Sequence, residues 1–284
     1  FAKHKDDRYA LMTEAQGNME PVFLGYDSQR FSGAEFDAVV MNEKLAAHFT
    51  DGAGVVHELW AIDDEAKVRS VSAALADQSL YILDGHHRYE TALKFYNDHK
   101  QTDKRESLGF VLAQVCAFKQ PGTVILPTHR CLTGIKNFNS KSALERLGTL
   151  FDIAPKQNLA DLEKDLIGAP DGSFGLKVEG SSYYYLLKNN NPGLVSKFKN
   201  LDLEFLHERV LPLCLEPKSS QTITDIQIDY LKKMPGPEFQ LSFLVRPNTY
   251  DEVIRIARAF DKMPHKSTFF YPKIPSGLVV NLFE

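Results

Sequence analysis

Apolar positions along this chain recur at two spacings, and the change between them marks out the elements. The apolar run at 22–26 predicts a strand within an otherwise mixed first stretch, 1–32. A helix is predicted over about 34–49, followed by a turn at Asp51-Gly52-Ala53-Gly54 and a strand over 55–62. Asp63 and Asp64 are placed to cap a helix whose buried face would be Val68, Val71 and Leu75. A strand at 80–83 then leads into a helix reaching His99, with Tyr89, Ala92, Leu93 and Tyr96 on one face. The long apolar run 108–118 reads as a central strand and 123–126 as another.

The pattern changes after about residue 136. Asn139 or Ser140 caps a predicted helix burying Leu144, Leu147 and Phe151, and a short helix at 159–167 ends at Gly168. Residues 174–178 and 183–187 flank Glu179-Gly180-Ser181 as a hairpin, and the polar run 188–193 is a loop. A helix near 202–211 and strands near 222–229 and 239–245 follow. Thr249 and Glu252 form a capping box ahead of the stripe Val253, Ile256, Ala257, Phe260. Strands interspersed with helices predict a mixed α+β (α/β) protein. Its two expected domains are residues 1–136, carrying the chemistry, and a smaller α+β domain over 137–284.

With 284 residues, 43% of them hydrophobic, the chain can bury a substantial core. Its 37 acidic residues outnumber its 33 basic ones, for a formal charge of −4. That balance gives no general attraction to nucleic acid. No apolar run approaches the roughly 20 residues that cross a bilayer. The three cysteines, Cys116, Cys131 and Cys214, are scattered and odd in number, which points to a reduced, cytoplasmic protein.

The densest chemistry lies in Asp84-Gly85-His86-His87-Arg88-Tyr89-Glu90-Thr91-Ala92. The string reads as strand, tight turn and helix, with an acid, a glycine, two imidazoles and a guanidinium in the turn. A helix N-terminus presents unpaired amides and a partial positive charge, so it is a ready anion site. Arg88 can fork onto a phosphate, the histidines can donate further bonds, and Gly85 lets the backbone approach a ligand. The plainer alternatives stay open: Asp84 as the helix cap, or Asp84 and Arg88 as an ordinary i,i+4 pair.

Two further segments carry functional groups. Met263 to Lys273 holds Lys266, Ser267, Thr268 and Lys273, together with His265, and can bind phosphate or carboxylate; it also reads as a solvated connector. Thr128-His129-Arg130 follows an apolar strand, as Asp84 does, though an ordinary polar strand exit fits as well. A metal site can be drawn from Asp84, one of His86 and His87, His129 and Cys131, but no spacing matches a zinc signature. Magnesium arriving with a nucleotide, held by Asp84 and phosphate oxygens, is easier to accommodate. Walker A, G-x-G-x-x-G and G-x-S-x-G strings are absent from the sequence.

On these residues the chain resembles the bacterial and archaeal domain-of-unknown-function family 1015. Leu59-Trp60, Asp84 to Ala92, 126–130, Leu201-Asp202 with Leu206-His207, and 263–277 match its blocks in order. Members carry a further N-terminal segment ahead of Phe1, so the resemblance implies that this part of the family is missing from the chain. The Asp-Gly-His-His-Arg turn is similar to the phosphate-binding turn of the ParB/sulfiredoxin-like superfamily, which includes free serine kinases. His86 stands where sulfiredoxins have their nucleophilic cysteine, which excludes thiol chemistry.

The resemblance implies a ParB/sulfiredoxin-like motif domain and nucleotide-linked phosphoryl transfer to or from a small hydroxyl metabolite, with free serine or phosphoserine first. Asp84, His86 and His87 would be catalytic, with Asp84 acting as base or holding Mg²⁺. Gly85, Arg88, Thr91, Thr128, His129 and Arg130 would bind phosphate or the nucleotide, ADP or ATP. Lys266, Ser267, Thr268 and Lys273 would close over the substrate. The competing readings are a ParB-like nucleotide-binding switch and a metal-dependent phosphatase or hydrolase.

Overall fold

The computed structural model describes residues 2–27, 33–41, 43–52, 54–101, 105–118, 122–199, 201–234, 236 and 238–283. The chain is a mixed α+β protein. It divides into two compact units, Phe1–Val124 with Phe270–Glu284, and Ile125–Phe269. The composition change suggested a boundary near 137, whereas the backbone divides at 124/125 and its last stretch returns to the first unit. The reason lies in pairing: the strand His129–Thr133 is already bonded on both sides within the second unit's sheet.

In the first unit, the strand Val22–Tyr26 is central in a three-stranded sheet. Leu80–Asp84 runs antiparallel to it and Ala113–Ala117 parallel. The run 108–118 is therefore not a central strand. Arg105–Leu108 is a helical turn, and only Ala113–Ala117 pairs, at the sheet edge. The helix Ala2–Ala15 has no apolar stripe to announce it, yet Met12 joins Phe95, Leu108 and Phe283 in a buried cluster, with Tyr9 against it.

The helix expected over 34–49 stops at Val40, and Lys44–Thr50 pairs antiparallel with Val56–Ala61. Lys44-Leu45-Ala46-Ala47 suits a helix, but cross-strand pairing overrides that preference. Asp51 and Gly54 close the hairpin turn, Gly54 N–H donating to the Asp51 carbonyl at 3.0 Å; Ala53 lies outside the described residues. Asp64 caps the helix Glu65–Leu75 as its position implies. The expected buried face is not buried, and Val68 is 45% exposed.

The second unit is built on a six-stranded antiparallel sheet. Its order is Gln227–Leu231, His129–Thr133, Leu241–Leu244, Phe174–Val178, Tyr184–Asn189, Phe151–Lys156. Phe174, Leu176, Phe205 and Phe243 are fully buried in its core. Asn139, Asn158 and Thr249 cap the helices Ser140–Leu147, Leu159–Ile167 and Tyr250–Arg258. Phe151 opens a strand rather than finishing the first helix's stripe. Phe260 lies beyond the end of the third helix at positive φ and is 99% exposed. The helix expected near 202–211 breaks into an α turn, Asp202–Phe205, a π turn, Leu206–Val210, and a 3₁₀ turn, Leu211–Cys214.

Candidate functional site

One rung of the first unit's sheet sets up the site. Phe23 on the central strand lies opposite Asp84 on one side and Gln114 on the other. The pairing shifts between Phe23 and Leu24, so Leu83 is an extra residue on the outer strand and Asp84 falls level with Phe23. Such bulges re-aim a side chain and are common beside functional sites. Gly85 follows at φ 87°, a left-handed conformation that glycine adopts without penalty, and the helix His86–His99 starts immediately. Gly85 supplies no side-chain cap, and the first turn's amides have no intrahelical acceptor. Asp84 is therefore not the helix cap.

Arg88 folds back across Gly85, where an added Cβ would come within 2.8 Å of its Nε. Its Nη2 donates to Asp84 Oδ2 at 2.8 Å and its Nη1 to the Pro21 carbonyl at 2.6 Å. Glu20 Oε2 lies 3.4 Å from the same Nη1. From the C-terminal segment, Lys273 Nζ reaches Asp84 Oδ2 at 3.1 Å, and Ser276 Oγ donates to Glu20 Oε1 at 2.5 Å. These groups line a cleft of about 180 Å³ with Phe23, Gln114 and Ile274. Two carboxylates and two cations thus face one small space. It is smaller than the roughly 300–1,000 Å³ of a drug-sized ligand site, so it suits a small molecule or the phosphate end of a larger one.

The other motif residues, His86 and His87 among them, are not part of this cleft's lining. His87 Nδ1 lies 3.3 Å from Glu90 Oε2, and Lys5 beside Glu90 holds that carboxyl below its usual range, with His87 adding to the effect. Thr91 is buried with no hydrogen-bond partner for its hydroxyl.

Thr128, His129, Arg130, Lys266, Ser267 and Thr268 belong to the second unit, so its residues and the Asp84 turn do not share one sheet edge. His129 is buried and its Nδ1 accepts from the Val245 amide at 3.3 Å. Burial, reinforced by the Arg130 charge, pushes its pKa down to about 4. Arg130 is fully enclosed; its Nε donates to His207 Nε2 at 3.0 Å, and its terminal nitrogens to the Thr128, His265 and Lys266 carbonyls. His207 is likewise pushed down to about 4, by burial first and then by the charges of Arg130 and His265. Ser267 is buried and donates to the Pro264 carbonyl.

Sequence reasoning missed Glu20. Its signal was positional: a charged residue just ahead of an apolar strand lies at the same sheet end as the close of an antiparallel neighbour. Without the pairing register, that neighbour cannot be named.

The family model described as "Protein of unknown function (DUF1015)" matches residues 1–204. The chain belongs to the DUF1015 family. No curated protein matches this DUF1015 member. Among solved structures, a conserved hypothetical protein from Pyrococcus furiosus aligns at 14% identity and a TM-score of 0.40, covering 97% of this chain and 86% of its own. A free serine kinase in complex with AMP aligns at 14% identity and a TM-score of 0.39, with 95% and 80% covered. SbnI with C-terminal truncation, from Staphylococcus aureus, aligns at 11% identity and 0.44, with 98% and 79% covered. Likeness at this level carries no functional argument.

The cleft can also be tested for Mg²⁺. Among the described residues no group of three or more His, Cys, Asp or Glu side chains is placed to hold a metal ion. Asp84 already has two cationic partners and Glu20 lies beside one of them. That donor set does not fit a hard divalent cation, which favours several uncommitted oxygens.

Proposed function

We propose that the first unit carries out nucleotide-linked phosphoryl transfer to or from a small hydroxyl-bearing zwitterion, with free serine or phosphoserine as substrate. What supports the reading is the pairing of Glu20 and Asp84 with Arg88 and Lys273 in one cleft beside an uncapped helix start. An amino acid matches that charge pattern group for group, its ammonium toward the carboxylates and its anionic end toward the cations and amides. In the forward direction the acceptor oxygen bonds to phosphorus as the phosphorus–oxygen bond to the nucleotide breaks, and the hydroxyl proton passes to the Asp84 carboxylate. Lys273, Arg88 and the helix amides offset the charge on the phosphoryl oxygens, and Glu20 holds the ammonium.

The test is phosphorus NMR on the full chain with ADP or ATP, Mg²⁺, and serine or phosphoserine. Nucleotide-dependent exchange of phosphate with serine is expected. Asp84→Asn should slow it by about 10²–10⁴-fold, the usual contribution of a general base. Glu20→Gln should act mainly on KM, as loss of a binding contact does. Turnover of Asp84→Asn within about threefold of wild type removes the base assignment. Free phosphate released from phosphoserine without nucleotide would replace transfer by hydrolysis.

A further inference from the structure

The second unit holds a group of positive charges that the cleft does not use. Arg130 is fully buried, and the partners its guanidinium finds are neutral: His207 at 3.0 Å and the carbonyls of Thr128, His265 at 3.3 Å and Lys266 at 3.1 Å. Burying a charge without a counter-charge is costly unless something else stabilises it. Its Cζ stands 4.9 Å over the Tyr230 ring, and Lys266 Nζ stands 4.8 Å over the same ring. Two residues on from Tyr230, Lys232 Nζ lies 3.5 Å over the Phe269 ring. Although the chain has more acids than bases, none of these three cations has an ion pair among the described residues.

The turn that carries Lys266 is held under strain. Lys266 has φ 50°, a left-handed conformation that costs a lysine roughly 1–2 kcal/mol. The turn is closed by Ser267 N–H to the Pro264 carbonyl at 3.2 Å and by Asn248 Nδ2 to the Ser267 carbonyl at 3.0 Å. Arg130 grips the carbonyls of both His265 and Lys266. His207, which receives Arg130 Nε, sits in a π turn, a rare interruption that occurs often at functional sites. Two residues before Arg130, the buried Thr128 hydroxyl has no partner. A strained, exposed lysine fixed by a buried arginine, among cations that lack acids, calls for an anion.

We propose that the His265–Lys266 turn of the second unit is a binding site for a phosphate-type anion, with Lys266 as its direct ligand and Arg130 as the positioning residue beneath it. The assignment is independent of the reading given for the cleft. The anion is free phosphate or a phosphomonoester, since both present the same oxygens.

The experiment is amide NMR on the full chain, titrated separately with inorganic phosphate and O-phosphoserine. The amides of 265–268 are expected to shift, and a tighter phosphomonoester marks an esterified ligand while equal affinities mark free phosphate. Lys266→Gly should weaken binding at this turn by about tenfold or more, as loss of a charge-assisted contact does. It should melt no lower than wild type, because glycine relieves the left-handed strain. Lys273→Ala, in the other unit, should leave the 265–268 response unchanged. If Arg130 acts through Lys266, Arg130→Lys combined with Lys266→Gly should bind no more weakly than Lys266→Gly alone. Amides that do not respond to either anion, full-strength binding by Lys266→Gly, or a lower melting temperature for that variant each overturn the proposal.

Discussion

At the scale of single residues, Gly85 carries the most consequence for its size. Its φ of 87° and the Arg88 guanidinium across it leave no room for a Cβ. Gly85→Ala should therefore destabilise by about 1–2 kcal/mol from the left-handed backbone alone. It should also dislodge Arg88 from Asp84, so a fall in the proposed transfer activity larger than the fall in melting temperature explains is expected. The two enclosed histidines make a prediction in pH. His129 and His207 titrate near 4 when folded, against an ordinary value near 6.5, so the unfolded chain binds protons that the folded one refuses. The stability they contribute is present above about pH 6.5 and is lost as pH falls toward 4, by up to about 3 kcal/mol each. Denaturant melts across that window should show the loss, and His129→Gln should flatten it. The motif was legible because Asp84, Gly85 and Arg88 fall within five consecutive residues and carry their own chemistry. Glu20 was not, because its place beside them depends on which strands pair.

At the scale of elements, local signals held where the chain caps itself and failed where distant pairing decides. Thr249 and Glu252 form the capping box that their spacing implies. Thr249→Ala should cost about 1 kcal/mol, read as a lower melting temperature of the second unit. Asn139 and Asn158 cap their helices for the same local reason. Residues 44–50 read as helix because lysine, leucine and alanine favour it, and only the partner strand Val56–Ala61 reverses that. The helix Glu65–Leu75 has a clear apolar stripe, yet none of its residues is fully buried, Val71 and Leu75 reaching only half-burial. The extra residue at Leu83 had no sequence signature, although it decides which side chain stands level with Phe23. Periodicity reports which face is apolar and is silent about what covers it.

At the scale of the whole molecule, the second unit is an insertion within the first. Residues 270–284 supply Lys273 and Ser276 to the cleft, and Asn281–Leu282 pairs with Gly17–Asn18. Phe283 closes the cluster around Phe95, with ring centroids 5.6 Å apart. A chain ending at Pro272 should lose all of these together. Hydrogen exchange should then show reduced protection in Val22–Tyr26 and Leu80–Asp84 while the six-stranded sheet keeps its own.

The same arrangement has a consequence for synthesis. A ribosome adding roughly 5–20 residues per second needs about seven to thirty seconds to make the inserted stretch, Ile125–Phe269. Throughout that interval Asp84 and Arg88 have already been made, while the lysine and serine that join them have not yet been translated. A nascent chain therefore cannot hold a complete cleft, and premature termination anywhere in the insertion leaves a molecule whose charges at that site are unbalanced.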